Sequence, residues 1–299
     1  ARLDATLRAS DVDIDGARTF LAAALAGTAV EAPQDLALTV DLGRATVGGV
    51  AVRDLRAKLT GSKNGIDIER LSVGDLGGAA VTAGGRLAFA PQPRGNLSFD
   101  LNARDLKGVT TLLSQYAPAA APVLARFTGR AQLRGTVALD ADNKNGAGKA
   151  SLEGSVGPVR VTLAAQSTGD LAKPETATLK LDGRLESDDG AALAALTSLD
   201  RIASVGREPG RLIFTAEGPL QSDMRVKAQI VARGLDAATE GTARYADGAV
   251  TGALRTTVKE ADLRPLFGVP QSVPARFSGD VTLAKDRVTL ASASGTVAG

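Results

Sequence analysis

The first segment whose residues could do chemistry is Asp11–Gly16, with the sequence Asp-Val-Asp-Ile-Asp-Gly. Carboxylates at alternate positions before a glycine are typical of the first half of an EF-hand calcium loop. That loop also needs a bidentate Glu at its last ligand position, where this chain has Ala22. Because Val12 and Ile14 alternate with the carboxylates, the end of a strand fits equally well, and we predict no metal site.

A second candidate, Gly146–Ser151, reads Gly-Ala-Gly-Lys-Ala-Ser and resembles part of a phosphate-binding loop. The first glycine of that motif would fall at Asn143, and Ala150 replaces its magnesium-binding hydroxyl residue. We therefore interpret the segment as a turn between strands. A polar loop is expected over Asp140–Gly148, near the middle of the chain.

The carboxylates most suggestive of acid–base chemistry are Asp67 and Glu69, which alternate with Ile66 and Ile68. This spacing places both carboxylates on the solvent face of one strand, where charged side chains are common. The sequence has no His and no Cys, which removes the commonest acid–base group and all thiolate chemistry. We predict that the protein is not an enzyme and carries no cofactor.

Three glycine doublets are also present: Gly48-Gly49, Gly77-Gly78 and Gly84-Gly85. A dinucleotide-binding site needs its glycines between a strand and a helix, and none of the doublets stands there. Tight turns or bulges are the better interpretation.

The composition is rich in small and aliphatic residues and poor in aromatic ones. The chain is 44% apolar but 3% aromatic, with 34 glycines. A compact core of this size would use more aromatic side chains, so long sheets and a surface facing flexible acyl chains fit better. The 35 basic and 33 acidic residues are interspersed. Without a basic stripe or stacking aromatics, we predict no nucleic-acid partner.

One unit recurs four times along the chain. Each copy has an alternating apolar stretch, an acidic residue, and a short helix-like segment with Leu or Phe at helical spacing. The acidic residues are Asp11, Asp105, Asp188-Asp189 and Asp262. Asp105 is a predicted N-cap, and Asp188 or Asp189 should cap a helix that runs to about Ile202. The repetition predicts one elongated segment over residues 1–299, with approximate repeats 1–145 and 146–299.

Period-two alternation predicts that strands dominate, and we count roughly twenty short ones. Asn64-Gly65 and Asp247-Gly248 predict hairpin turns, because these residue types tolerate positive φ. The apolar residues change from even to odd numbers after Val52 and again after Ile68. Such a shift turns every later side chain to the other face unless a bulge absorbs it, so we predict bulges near Arg53-Asp54 and Glu69-Arg70.

These patterns predict a mainly β fold: an elongated, curled antiparallel β-sheet with a few short helices. One face of such a sheet is apolar, and the helices are too few to cover it. The sheet must curl on itself, pair with a second sheet or present a groove.

An ordered series of motifs runs from about Leu36 to Leu139. The motifs are Val47-Gly48-Gly49-Val50-Ala51-Val52-Arg53-Asp54-Leu55-Arg56-Ala57-Lys58-Leu59, Asn64-Gly65-Ile66, Leu71, Leu76-Gly77-Gly78, Gly84-Gly85-Arg86-Leu87, Asn96–Leu106 and Phe127-Thr128-Gly129. Their order resembles the periplasmic repeat region of the AsmA-like family. Residues from about Leu179 to Leu290 repeat the series more loosely.

The resemblance implies a periplasmic protein of Gram-negative bacteria, tethered to the inner membrane, whose curled sheet forms a taco-like groove with an apolar lining. It implies a role in outer-membrane assembly and in carrying phospholipids, with no catalytic residues. The partners would be phospholipid acyl chains, and a membrane through an anchor outside this segment. No run of the chain reaches the ~18–20 apolar residues that span a bilayer. We expect the segment to be an interior piece of a longer polypeptide.

The side chains expected to line the groove are inward-facing apolar residues of the predicted strands. They are Leu36, Leu38, Val40, Leu55, Leu59, Ile66, Ile68, Leu97, Phe99, Leu101, Phe127, Leu133, Phe277 and Leu283. Phe127 and Phe277 belong to two copies of an Ala-Arg-Phe-Thr/Ser-Gly phrase, which we interpret as the start of a strand and not as a ligand site. The alternative prediction is a structural or adhesive secreted β-repeat protein whose apolar face packs on itself.

Overall fold

The computed structural model describes residues 2–16, 35–89, 93–116, 129–142, 145–169, 177–219, 222–246, 249–284 and 287–297. The chain divides into two compact units, residues 1–143 and 144–299, close to the boundary between the two approximate repeats. Strands account for most of the described residues, so the fold is mainly β. Phe127 lies outside these ranges, as do the helix-like residues Phe20, Leu21 and Leu25 of the first repeat copy.

Seven strands of the first unit are neighbours in chain order. They are β1 (Arg2–Asp13), β2 (Asp35–Val47), β3 (Val50–Ser62), β4 (Gly65–Leu76), β5 (Ala79–Ala88), β6 (Arg94–Ala103) and β7 (Ala131–Asp142). Helix α1 (Lys107–Tyr116) lies in the connection between β6 and β7.

Nine strands of the second unit follow the same rule, and each pairs antiparallel with the next. They are β8 (Asn145–Val156), β9 (Val159–Gly169), β10 (Thr178–Ser187), β11 (Gly210–Pro219), β12 (Met224–Ala232), β13 (Leu235–Ala246), β14 (Ala249–Asp262), β15 (Pro274–Leu283) and β16 (Val288–Val297). Helix α2 (Gly190–Thr197) and a 3₁₀ helix (Leu199–Arg201) connect β10 to β11, and α3 (Arg264–Phe267) connects β14 to β15. The sixteen described strands have 9 to 14 residues, so they are fewer and longer than predicted.

One pair departs from the predicted antiparallel sheet, because β1 runs parallel to β2. Leu3 stands beside Leu36, and Leu7 beside Val40. Parallel neighbours need a connection of a dozen or more residues, and β1 ends at Asp13 while β2 begins at Asp35, which leaves enough chain between them. Side chains alternate in both arrangements, so the alternation carries no information about strand direction. The prediction of an antiparallel sheet is wrong at this edge.

The bulge predicted near Glu69-Arg70 is confirmed, because the β4–β5 register shifts between Ile68 and Leu71. At Arg53-Asp54 the strand is irregular, but no residue is inserted. Asp54 has a φ of 52°, while the β2–β3 register is the same on both sides of it. A Cβ at Gly74 of β4 would lie 3.0 Å from the Cβ of Asp54, so the glycine makes room for the irregularity. Val52 and Ala57 still belong to one buried cluster, so the apolar residues before and after Asp54 share a face.

The predicted hairpins are present, with one shift in the turn. Ser62 pairs with Gly65, so the two turn residues between β3 and β4 are Lys63 and Asn64. The turn predicted at Asp247-Gly248 connects the paired strands β13 and β14, although these two residues lie outside the described ranges.

Residues 140–148 do not form the predicted loop, because β7 and β8 occupy all but residues 143–144 of it. Gly146–Ser151 is therefore strand and not turn. Its small residues stand opposite small residues of β9, as Ala150 does beside Ala165. A strand can hold glycine and alanine when its neighbour matches them, and this pairing cannot be seen in the composition of one segment.

Aspartates begin the helical connections, as predicted. The Oδ1 of Asp105 accepts a hydrogen bond of 2.7 Å from the backbone N–H of Lys107. Asp189 is the N-cap of α2, and its side chain accepts from the backbone N–H groups of residues 191 and 192. Ser198 adopts the left-handed conformation after α2, so the chain continues as a 3₁₀ helix and not as one helix to Ile202.

Asp262 also begins a helical connection, the one that contains α3, and its side chain accepts backbone hydrogen bonds. Its carboxylate accepts hydrogen bonds from the N–H groups of Val273 (3.0 Å) and Arg264 (3.3 Å) and from the hydroxyl of Ser272 (3.0 Å). The Nε of Arg264 also lies 2.9 Å from its Oδ2. Burial favours the neutral acid, but the hydrogen bonds and the guanidinium outweigh it and hold the pKa of Asp262 below its ordinary value.

We predict that Asp262→Ala lowers the free energy of unfolding at pH 7 by about 1–3 kcal/mol, because two backbone N–H groups lose their acceptor. A carboxyl with a lowered folded-state pKa stabilises the fold above its unfolded pKa of about 4, and this contribution disappears as pH falls through the folded value. Urea unfolding followed by circular dichroism should therefore show a difference from wild type that shrinks below about pH 4. The exposed Asp200→Ala serves as control, and an equal effect of both changes would contradict the prediction.

Candidate functional site: the apolar face of the strands

The register of the first unit brings side chains from six strands onto one face, which we call the apolar face. Residues that stand opposite each other in neighbouring strands share a face. One row crosses β2 to β7 through Leu38, Leu59, Ile68, Gly85, Leu97 and Val137. A second row crosses the same strands through Leu42, Leu55, Val73, Val81, Leu101 and Leu133. No polar side chain interrupts either row.

The second unit has an apolar face of its own, which crosses all nine of its strands. One of its rows passes through Gly154, Val161, Leu185, Leu212, Ile230, Ala237, Val258, Phe277 and Gly295. The neighbouring row contains Thr239 and Thr256, whose hydroxyl oxygens lie 3.0 Å apart and satisfy each other.

The predicted groove residues that the structure describes lie on these faces. In the first unit they are Leu36, Leu38, Val40, Leu55, Leu59, Ile66, Ile68, Leu97, Phe99, Leu101 and Leu133, and in the second Phe277 and Leu283. Sequence reasoning left out Leu42, Val73 and Val137, although they occupy the same rows. Their alternation is visible in the sequence, but assigning them to a row requires the register.

The opposite face is polar and carries ion pairs between neighbouring strands. Lys58 of β3 lies 2.6 Å from Glu69 of β4, and Arg86 of β5 pairs with Asp67. Lys58, Glu69 and Arg86 are largely exposed, so each pair contributes at most about 1 kcal/mol. A hydrogen bond from Arg184 lowers the pKa of Glu186 on the same face. The contrast between charged and apolar faces fixes which side of each strand is available to an apolar ligand.

The apolar face is covered at one end and accessible at the other. The helical connections lie at the same end of the strands in each unit, and we call this end the capped end. Near it Leu42 is 1% exposed and Val52 3%, and in the second unit Leu193 of α2 is fully buried. Toward the opposite or open end, Leu36, Leu97 and their neighbours in the register keep part of their surface exposed.

Contacts between α1 and two glycine turns explain how the capped end closes in the first unit. The side-chain amide of Gln115 donates a hydrogen bond of 2.8 Å to the carbonyl of Gly48. The backbone of Gly108 approaches the Gly77 turn so closely that a Cβ on either residue would lie 2.8 Å from the Cα of the other. Both turns are of the tight type that the doublets predict, with positive φ at Gly48-Gly49 and Gly77-Gly78.

Three phenylalanines of the apolar face each stand opposite a glycine of a neighbouring strand. The register pairs Phe99 with Gly135, Phe214 with Gly183 and Phe277 with Gly295. A Cβ at Gly135 or Gly183 would collide with the ring of its partner, so each ring lies over the neighbouring backbone. The ring covers peptide groups that a glycine leaves exposed, and it lies flat against the sheet instead of projecting from it.

Depressions on the polar face are a different kind of feature. One of about 450 Å³ and another of about 540 Å³ share Lys227, Glu240 and Arg255 in their walls. These three residues stand side by side in the register, with Lys227 and Glu240 ion-paired at 3.3 Å. The depressions are gaps between long charged side chains, and they lie on the face opposite the predicted groove residues.

The residues considered for metal or acid–base chemistry are engaged in turns and ion pairs. The carboxylate of Asp15 accepts hydrogen bonds from the N–H groups of Gly48 (2.8 Å) and Gly49 (2.9 Å), and Asp13 accepts one from Gly16 (3.0 Å). These carboxylates hold the β2–β3 turn against the end of β1. Within the described ranges, no group of three or more acidic side chains is arranged to hold a metal ion.

Comparison of the chain with models of protein families, with curated proteins and with solved structures finds no match. Among the helices of the described ranges, none combines the length and hydropathy required to cross a bilayer.

We predict that Gly135→Ala destabilises the first unit by about 1–3 kcal/mol, because the new methyl group displaces the ring of Phe99. Gly61→Ala is the matched control on the same face, since nothing lies within 4 Å of a Cβ there. It should change the free energy of unfolding by no more than about 0.5 kcal/mol. Thermal and urea unfolding measure both. The double variant Phe99→Leu/Gly135→Ala should recover part of the loss, and a failure to do so would argue against the ring contact.

Proposed function

We propose that this chain is a non-enzymatic lipid-binding segment of an AsmA-like periplasmic protein, which holds phospholipid acyl chains along its apolar face. The observation that carries the proposal is the continuity of that face. In the first unit two rows cross six strands without a polar side chain, while the other face of the same strands is charged.

Partial exposure of the open end supports an occupant from outside the chain. A soluble sheet normally buries its apolar face against a second layer. Here the described helices lie at the capped end, and Leu38, Leu59 and Leu97 near the open end remain partly exposed. An acyl chain laid along these rows would gain about 0.8 kcal/mol for each methylene group it buries.

The make-up of the rows suits a chain-like ligand of variable shape. The two rows of the first unit consist of Leu, Val and Ile with one glycine, and the rings of Phe99 and Phe214 lie over glycines. Such a wall has few polar groups that would need a partner from the ligand. The taco-like curl around the face belongs to the same proposal, and the bulge after Ile68 supports it because bulges increase local twist.

The proposal includes a place in the cell. Tethering to the inner membrane, a periplasmic location and a part in outer-membrane assembly rest on the motif series between Leu36 and Leu139.

A specific observation favours the alternative, a structural or adhesive β-repeat protein with a self-packed core. Val40, Leu42, Ala45, Val52, Ala57 and Val73 form one buried cluster. A second contains Ala203, Ile230, Leu235, Val258, Ala261, Leu263 and Ala275. Both show that part of the apolar face packs against the chain itself. In the lipid-binding function, acyl chains contact the open end. In the structural or adhesive function, the chain itself covers it.

Photo-crosslinking from adjacent residues of β3 separates these functions. A benzophenone amino acid at Leu59 faces the apolar side, and the same probe at the exposed Thr60 faces the polar side. In Gram-negative cells we expect phospholipid adducts from position 59 and few from position 60, measured by mass spectrometry of the purified protein. Equal lipid adducts from both positions would contradict the proposal. Crosslinks from position 59 to the chain alone would support the self-packed alternative.

A further inference from the structure

The connection between β14 and β15 presents large apolar side chains to solvent. Leu266 is 56% exposed, Phe267 57% and Val269 38%. They stand together in the sequence Arg264-Pro-Leu-Phe-Gly-Val-Pro270, around the single turn of α3. We call Leu266, Phe267 and Val269 the apolar tip. Isolated exposed apolar residues are common in soluble proteins, but three in four positions form a patch.

Neither of the other two helices shows this property in the residues whose burial the structure describes. In α2 the exposed residue is Ala195. In α1 the exposed residues among those described are Lys107, Thr111, Ser114 and Gln115, and all are polar. The chain has seven phenylalanines in 299 residues, and one of them occupies this exposed position.

Hydrogen bonds hold the backbone that carries the apolar tip. The N–H of Val273, at the end of the connection, donates to the carboxylate of Asp262 at its start, and the guanidinium of Arg264 donates a hydrogen bond of 2.7 Å to Ser204. The carbonyl of Leu263 accepts from the N–H groups of Leu266 and Phe267. Gly268 closes the turn with a φ of 65°.

Both basic and acidic residues are exposed on the elements next to the apolar tip, and the acidic ones are Glu260 and Asp200. Lys259 and Arg276 are exposed on the strands that enter and leave the connection. Exposed Arg201 comes from the 3₁₀ helix, which contacts α3, and the neighbouring Ile202 is 45% exposed and extends the patch. Asp262 offers no free negative charge, because Arg264 and its hydrogen bonds engage it. Three exposed basic residues against two exposed acidic ones leave a small positive excess beside the patch, and an apolar patch of this kind favours the interface of an anionic membrane.

The small size of the patch favours a membrane over a protein partner. Four side chains cover on the order of a few hundred Å², whereas a stable protein interface buries more than about 1,000 Å². A bilayer places no such demand, since each side chain that enters the interfacial region contributes separately and nearby Lys and Arg add attraction to anionic lipid.

We propose that the apolar tip inserts into the interfacial region of an anionic bilayer, with Lys259, Arg276 and Arg201 against the headgroups. The contact would dock the second unit on a membrane surface. It does not depend on the proposed lipid binding by the apolar face, because the tip lies on the outer side of a helical connection and uses none of the groove residues.

The absence of Trp from the chain permits a direct test. Phe267→Trp creates a single fluorescent probe in the full 299-residue chain. We expect its emission to shift to the blue when phosphatidylcholine vesicles containing phosphatidylglycerol are added, and less with phosphatidylcholine alone. High salt should reduce the shift. No shift with anionic vesicles would overturn the proposal, and so would a shift that grows with protein concentration without vesicles, because a second copy would then cover the tip.

A vesicle flotation assay supplies the second measurement. Leu266→Asp/Phe267→Asp should lower the fraction bound to anionic vesicles at least about tenfold, because two apolar side chains no longer enter the bilayer. Thr111→Asp on α1 is the matched control at an exposed helical position, and circular dichroism checks that each variant is folded. Equal binding by wild type and the double variant would overturn the proposal. Lipid adducts from position 59 should persist in the double variant, which separates this result from the function of the apolar face.

Discussion

Every other feature of this protein depends on the register between neighbouring strands. Side chains alternate along a strand, so a shift by one residue would bring Arg56 or Lys58 of β3 to the side that now holds Leu55 and Leu59. The irregularity at Asp54 and the bulge after Ile68 keep the apolar residues of β3 and β4 on one face over strands of thirteen and twelve residues. Polar ion pairs on the opposite face add little energy, but they penalise a shifted pairing by separating opposite charges.

The capped end of the apolar face contributes most to stability, whereas the open end is more accessible to solvent. At the capped end, helices and glycine turns exclude water from Leu42, Val52 and their neighbours, and burial of this kind is the main source of folding free energy. Toward the open end, Leu36, Leu97 and other described residues of the face keep part of their surface exposed. Aspartates at the start of the helical connections, such as Asp105 and Asp189, fix where the cover begins. A few polar side chains therefore determine how much apolar surface remains available.

Much of this arrangement could be predicted from the sequence, because the rows follow from period-two alternation and the irregularities from its changes of phase. The change after Val52 located the irregularity at Asp54, and Asp105 and Asp189 were recognisable as helix caps. Three features were beyond such reasoning. Alternation does not encode the direction of β1. The strand at Gly146–Ser151 depends on the small residues of β9 opposite it. The pairing of Phe99 with Gly135 links residues 36 positions apart, and only the register brings them together.

Chain order equals strand order within each unit, and this has a consequence for how the protein acquires its structure. Each strand from β3 onward in the first unit can join the edge left by its predecessor, so most pairings close a short loop and lose little chain entropy. Contacts of this local kind favour rapid folding for a β protein. A unit of this type can assemble progressively from a chain that arrives unfolded and in one direction, such as one leaving a ribosome or a translocation pore. β1 is the exception, because its parallel partner β2 follows only after the connection between them has been delivered.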